Sequence, residues 1–255
     1  MCCFSGPVKS VSATNIFGRM ESGERQLLVY RMSLETDKAV AMVLPLPVAA
    51  GSTEKALRFI SLQKYPNFFD DLAAGFPVPV THSSNSDSIP LSASMGSNEP
   101  LTVYHVGEFD ASFVPSVKDF DRLDKQFRLP PSAFKKLPGY KNFGFAVFKL
   151  KPGAQHVHPM AFEFRTALPS RLFFPTVHIH DGQVHAEAEF DHKLYCQPSD
   201  ALQLKMAEWE ESPSLANKFM DLKKAANIIL AEEHCYKHEL RGMLPNKDTF
   251  AEARI

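Results

Sequence analysis

Nowhere in the chain do about 18 apolar residues follow one another, so no membrane-spanning helix is expected. The amino-terminal stretch MCCFSGPVKSV has no charged segment leading into an apolar one. A secretory signal is therefore not expected there, and a cytoplasmic protein is. Charge of one sign is also lacking, with 28 Lys and Arg against 29 Asp and Glu. That balance leaves no basic surface for nucleic acid or anionic lipid, so neither nucleic acid nor membrane is an expected partner. Only four cysteines are present: Cys2, Cys3, Cys196 and Cys235. In a cytosolic chain of this length they read as free thiols or metal ligands. Neighbouring Cys2 and Cys3 cannot readily bridge each other, because adjacent side chains diverge. The metal signatures H-E-x-x-H and C-x-x-C and the spaced Cys/His finger are missing.

Phenylalanine, in contrast, is abundant: 21 copies beside 6 Tyr and a single Trp. Together with 19 Pro and only 12 Gly, this suits a β-rich fold around a thick aromatic core. The 255 residues suffice for a substantial core and show no linker or repeat, so a single domain over 1–255 is expected. RQLLVYRMSLE and KAVAMVLPLPV read as two strands, joined at Thr36-Asp37 as a hairpin and ended by Pro45 and Pro47. GSTEKALRFISL reads as a short helix capped by Ser52 or Thr53, and FFDDLAAGF as another ended by Gly75. The Ser/Asn-rich 81–98 reads as an exposed loop. LTVYHVGEFDASFV alternates as one strand, SVKDFDRLDKQFRL has helical spacing, and GFAVFKL is a buried-type strand.

After Cys196 the pattern changes, and 199–242 reads as a helical carboxy-terminal segment. Ser199 can cap one helix. Ser212-Pro213 can open a longer one, with Leu215, Phe219, Leu222, Ala226 and Ile229 on one face and Gly242 at its end. The expected class is therefore α+β: β-rich mixed and antiparallel sheets, short helices and a long carboxy-terminal helix.

The densest chemistry lies in 156–196, which holds His156, His158, His178, His180, His185 and His192. A strand sends alternate residues to one face, so H-V-H and H-I-H each present two imidazoles together. Asp181-Gly182 is a favoured two-residue hairpin turn. With that turn, His178 stands opposite His185 and Ile179 opposite Val184. His178, His180, His185, Glu187 and Glu189 then share a face, and His192 falls on the other.

Three imidazoles and a carboxylate suit a transition metal such as copper, zinc or iron. His156 and His158 would add ligands from a neighbouring strand, and Cys2 and Cys3 would complete the set. The same pattern also describes an ordinary hairpin with a wet face. A second chemistry centres on Cys2: once Met1 is removed, its own α-amine could serve as base for the thiol, as in N-terminal nucleophile hydrolases. His234 and His238 read as a solvated helix end, and His105 as a strand residue without a ligand role.

QLLVYRM, AVAMVLPLPV, VYHVGEFDASFVPS, FGFAVFKLKPG, HPMAFEFRT and LFFPTVHI, in that order, resemble an uncharacterised bacterial family of mostly exported or membrane-anchored proteins. The similarity lies in the cysteine-containing amino-terminal segment and the L-P-L-P strand end, and spans roughly residues 1–180. It implies a shared fold and no activity. This chain differs in lacking a signal peptide and in its more elaborate His/Glu segment at 178–192.

Three functions follow as expectations. The first is a metal-binding protein, or a redox or hydrolytic metalloenzyme, with Glu187 or Asp191 as base or as a carboxylate supporting the ligands. The second is a hydrolase with Cys2 as nucleophile. The third is a non-enzymatic scaffold or interaction protein. The expected partner is a small molecule or peptide.

Overall fold

The structure is a computed structural model that describes residues 2–49, 51–77, 101, 103–106, 109–129, 138–156, 158–179 and 184–254. For residues 2, 109, 138 and 154–156 it describes the backbone alone. The expected loop at 81–98, the turn at Asp181-Gly182 and His180 lie outside the described residues.

Sixteen strands run in chain order among the described residues. The first eight are β1 (Cys2–Phe4), β2 (Ser10–Glu21), β3 (Arg25–Thr36), β4 (Val40–Leu46), β5 (Leu57–Ser61), β6 (Tyr104–Val106), β7 (Phe109–Val114) and β8 (Gly144–Leu150). They are followed by β9 (Gly153–His156), β10 (Met160–Arg165), β11 (Arg171–Phe174), β12 (His178–Ile179), β13 (Glu187–Gln197), β14 (Glu210–Leu215), β15 (His234–Pro245) and β16 (Thr249–Glu252). One short α-helix, α1 (Phe68–Ala74), is found among the described residues, with Gly75 closing it as expected. No helix among them is long and apolar enough to cross a membrane.

The strands form two sheets packed face to face. The smaller sheet has the order β12-β1-β4-β8-β7-β6. The larger has the order β14-β15-β13-β2-β3-β10-β5, with β9 beside β3. Strands β11 and β16 pair separately.

Period-two alternation explains the layering. In β4, Met42, Leu44 and Leu46 enter the cluster between the sheets, while Ala41 and Val43 enter a second cluster outside. In β3, Leu28, Tyr30 and Met32 face inward, and Leu27 and Val29 face the opposite cluster. Both strands are buried on two faces because each sheet has an outer cover. Phe120, Phe127, Leu129 and Tyr140 cover the smaller sheet. Phe68, Phe69 and Leu72 of α1, with Ala216, Met220, Ala225, Ile228 and Ile229, cover the larger. Each fully buried Phe, Leu or Met contributes about 1.5–3 kcal/mol. The abundance of phenylalanine is thus spread over three apolar layers.

The fold is mostly β, which corrects the α+β expectation. The apolar spacing from Leu215 to Ile229 forms no long helix. The chain passes through β14, a single 3-10 turn at Ala216–Lys218, further turns, and β15. Left-handed backbone at Ala226 (φ 49°) and Asn227 (φ 62°) interrupts any helix there. Of the face expected from the spacing only Ile229 is buried, while Leu215, Phe219 and Leu222 are half-buried and Ala226 is exposed. The buried residues of this stretch are Ala216, Met220, Ala225, Ile228 and Ile229, which do not follow a helical face. The residues from His234 onward extend the larger sheet, because β13 needs a neighbour along its outer edge.

Smaller corrections have the same origin. Strands β3 and β4 form no hairpin, because the chain crosses from one sheet to the other at Thr36-Asp37. The helix expected after Ser52 is one 3-10 turn at Glu54–Ala56 followed by β5. The stretch expected as one strand at 101–114 contains two paired strands, β6 and β7. The helix at 116–129 is two 3-10 segments.

Candidate functional site

Strand β13 positions the site, because it is flanked by two strands along only part of its length. Its partner β15 runs beside it from Glu187 to Cys196. Its other neighbour, β2, joins it in parallel only from Lys193, opposite Asn15. Upstream of that pair the two strands part. The register of β2 against β3 shifts between Ser12 and Asn15, and Ala13 takes a left-handed backbone (φ 50°). Such a conformation is costly for a residue with a Cβ, on the order of 1–3 kcal/mol, and it re-aims the strand. The Ala13 N–H then donates to Asp191 Oδ2 at 2.5 Å instead of to a neighbouring backbone.

The parting leaves a cleft of about 470 Å³ lined by Val11, Thr14, His178, His185, Glu187, Ala188, Glu189, Asp191 and Asn246. Alternation along β13 puts Glu187, Glu189 and Asp191 on one face, all exposed. Phe190 and His192 point to the other face and are buried. No lysine or arginine is among the described lining residues. Thr14 is 1% exposed, and its hydroxyl has no hydrogen-bond partner among the described residues.

At the floor, two sheets meet through two histidines. His178, on the smaller sheet, brings its Nε2 to 3.1 Å from Nε2 of His192 on the larger. One ring nitrogen donates its proton and the other accepts it. His178 also stacks on Phe190, with centroids 4.4 Å apart, and lies 4.7 Å from the His192 ring.

A carboxamide fixes His178 in place. Its N–H donates to Asn246 Oδ1 at 2.7 Å, and Asn246 Nδ2 donates to the carbonyls of His178 (2.9 Å) and His185 (3.0 Å). Two residues on, Asp248 accepts from the Tyr140 hydroxyl at 2.5 Å and from the N–H groups of Thr176 (3.0 Å) and Val177 (3.2 Å). Burial pushes the Asp248 carboxyl above its ordinary value, although these donors oppose the shift. The loop between β15 and β16 therefore buckles β12 to the larger sheet. Asn246 and Asp248 were not singled out in the sequence. Their only local signal is a polar Asn-Lys-Asp after Pro245, which reads as an ordinary turn.

Of the face expected from the sequence, His178, His185, Glu187 and Glu189 line the cleft together, and His180 lies outside the described residues. His178 pairs through its backbone with Cys2 in parallel, within the smaller sheet, and not with His185. His192, assigned from the sequence to the opposite face, is the imidazole that His178 meets. His185 is exposed at the cleft rim. His158 Nδ1 lies 3.0 Å from the Pro159 carbonyl. His156 is on β9, opposite Ser33, and only its backbone is described. Cys2 is likewise described by its backbone alone, and Cys3 is buried in the outer cluster of the smaller sheet. Glu187 stands at the rim as an exposed carboxylate. Among the described residues, no three of His, Cys, Asp and Glu are grouped to hold a metal ion, which corrects the metal-binding description of this segment.

The remaining cysteines are inert by position. Burial holds the Cys196 thiol well above its ordinary value and pushes Cys235 up to about 12. His234 and His238 sit on β15, not on a helix, with Nδ1 atoms 2.7 Å from the Ser212 carbonyl and 3.0 Å from the Glu208 carbonyl.

The molecule is a two-sheet β-sandwich with covered outer faces and a cleft at one end of the larger sheet. The chain matches no known family model. Among solved structures it is similar to baculovirus P35, at 15% identity over 100% of both chains, with a TM-score of 0.49. It is also similar to P35 in a caspase-8/P35 complex, at 14% identity over 95% of this chain and 96% of that one, with a TM-score of 0.46. A mutated baculovirus P35 after caspase cleavage is similar at 14% identity over 95% of this chain and 100% of that one, with a TM-score of 0.45. Likeness of this degree carries nothing about activity.

Proposed function

We propose that this protein is a non-enzymatic binding scaffold whose cleft between β2 and β13 receives an extended, positively charged segment of a protein partner. The observation that carries this reading is the parted strand edge bordered by Glu187, Glu189 and Asp191. An exposed strand edge offers unsatisfied backbone groups to an added strand. Arg241 stands opposite Asp191 and Lys193 follows it on the same face, but the described lining of the cleft itself holds three carboxylates and no lysine or arginine, which favours lysine or arginine on what binds. The buried Thr14 hydroxyl supplies one further polar group at the cleft wall. Asp191 is already engaged by Ala13, so Glu187 and Glu189 are the carboxylates left to meet a ligand.

The test is calorimetric titration with a short extended lysine-rich peptide. Binding that weakens by about tenfold or more in Glu187→Lys/Glu189→Lys, and that weakens with added salt, supports the reading. No binding, or binding indifferent to both changes, overturns it. Caspase-8 is the protein partner to try in a second arm, since P35 is described in complex with it. Complex formation abolished by the same double substitution supports the cleft, and a complex that survives the substitution moves docking elsewhere and overturns it.

A further inference from the structure

Among the described residues, strand β15 has an edge of its own, on its side away from β13 and one strand from the β2–β13 parting. Along one side it is paired with β13 throughout. Along the other, β14 pairs with it only at His234, Tyr236 and Lys237. From 238 to 245 that side has no strand beside it among the described residues. Alternate N–H and C=O groups of such an edge point outward, here between His238, whose ring meets Trp209 and the Glu208 carbonyl, and Gly242, whose positive φ (85°) interrupts the alternation. The edge is also partly apolar. Leu240 and Leu244 are half-buried, and Met243 is 60% exposed, one of two large hydrophobic residues so exposed among those described.

A two-fold interface sets a patch against itself, so an edge strand that dimerises must complement its own reverse. Glu239-Leu240-Arg241 does so. Run antiparallel to itself about Leu240, it places each Glu239 opposite the second copy's Arg241 and the two leucines opposite each other. His238 then faces Gly242, which has no side chain to crowd the ring. A register centred on Arg241 would oppose two guanidinium groups, and one centred on Gly242 would leave Glu239 opposite Pro245. Within one chain Glu239 already lies between both bases, 3.5 Å from Lys237 and 4.0 Å from Arg241.

We propose that two copies of this chain associate edge to edge through β15, antiparallel about Leu240, joining their larger sheets. The contact is short, so the dimer forms in a concentration-dependent way. Sedimentation velocity over a concentration series tests it with three proteins: the native chain, Arg241→Glu, and Glu239→Arg/Arg241→Glu. The Arg241 side chain is 79% exposed, so these changes leave the fold intact, which circular dichroism checks. The native chain should shift towards a dimer as concentration rises. Arg241→Glu, which opposes like charges twice, should lose the dimer, and the charge-swapped double variant should regain it. A native chain that is monomeric throughout overturns the proposal, as does an Arg241→Glu protein that dimerises normally or a double variant that fails to recover.

Discussion

The two halves of β13 belong to one continuous strand and behave oppositely. From Lys193 to Cys196 it is flanked by β2 and β15. There Leu194 and Cys196 face the core between the sheets, and Tyr195 lies under Phe69 and Phe76 on the outer side. Gln197 exchanges hydrogen bonds with both the N–H and the carbonyl of Leu230. From Glu187 to Asp191 the strand keeps only β15 among the described residues, and its outward residues are exposed carboxylates. The difference comes from a neighbour, since the period-two alternation is the same in both halves. Where β2 is present the strand is structural, and where β2 bends away the strand becomes a rim.

The largest effect that would sharpen this contrast is Leu194→Ala. It should cost about 2–5 kcal/mol by leaving a cavity between the sheets. Denaturant unfolding measures it, and a loss near zero would break the assignment of this half to the core.

Asp248→Ala should cost about 1–3 kcal/mol, because three buried or partly buried donors lose their acceptor. The same carboxyl predicts a pH dependence. Its folded pKa is raised above the unfolded one, so the folded state holds this proton more tightly. Its contribution favours folding at low pH and is lost as pH rises from the ordinary carboxylate range through the raised folded value. Native stability relative to Asp248→Asn should therefore fall across that window, and an opposite slope would show the carboxyl to be stabilised as an anion.

Tyr195→Phe should be neutral or stabilising by up to about 1 kcal/mol, since the buried hydroxyl it removes has no hydrogen-bond partner among the described residues. A clear destabilisation would reveal a partner for that hydroxyl. The smallest effect is Glu189→Ala, expected within about 0.5 kcal/mol on stability because the side chain is exposed. Thermal unfolding of the pair Glu189→Ala and Leu194→Ala, side by side, puts the comparison in one experiment.

Much of the strand content was legible because alternation is local. The segments around β3, β4 and β8 could be read from their own residues, as could α1 with its terminating Gly75. The stretch 215–240 could not. Its apolar residues needed burial against the outer face of the larger sheet, and both a helix and a set of turns would supply it. The left-handed Ala226 and Asn227 carry no sequence signal strong enough to choose. The histidine segment was legible as a cluster, but the parallel pairing of His178 with Cys2 and its contact with His192 were not, because pairing is a property of two sheets.

By itself the sequence determined an aromatic, β-rich chain with balanced charge, and it determined that Glu187, Glu189 and Asp191 share one side of a strand, since that follows from a period of two residues. Tertiary structure alone decided that His178 meets His192 across the sandwich, that Asn246 holds His178 in place, and that β2 leaves β13 at Asn15. Those contacts join residues distant in the chain through sheet order and strand curvature, which no local pattern encodes.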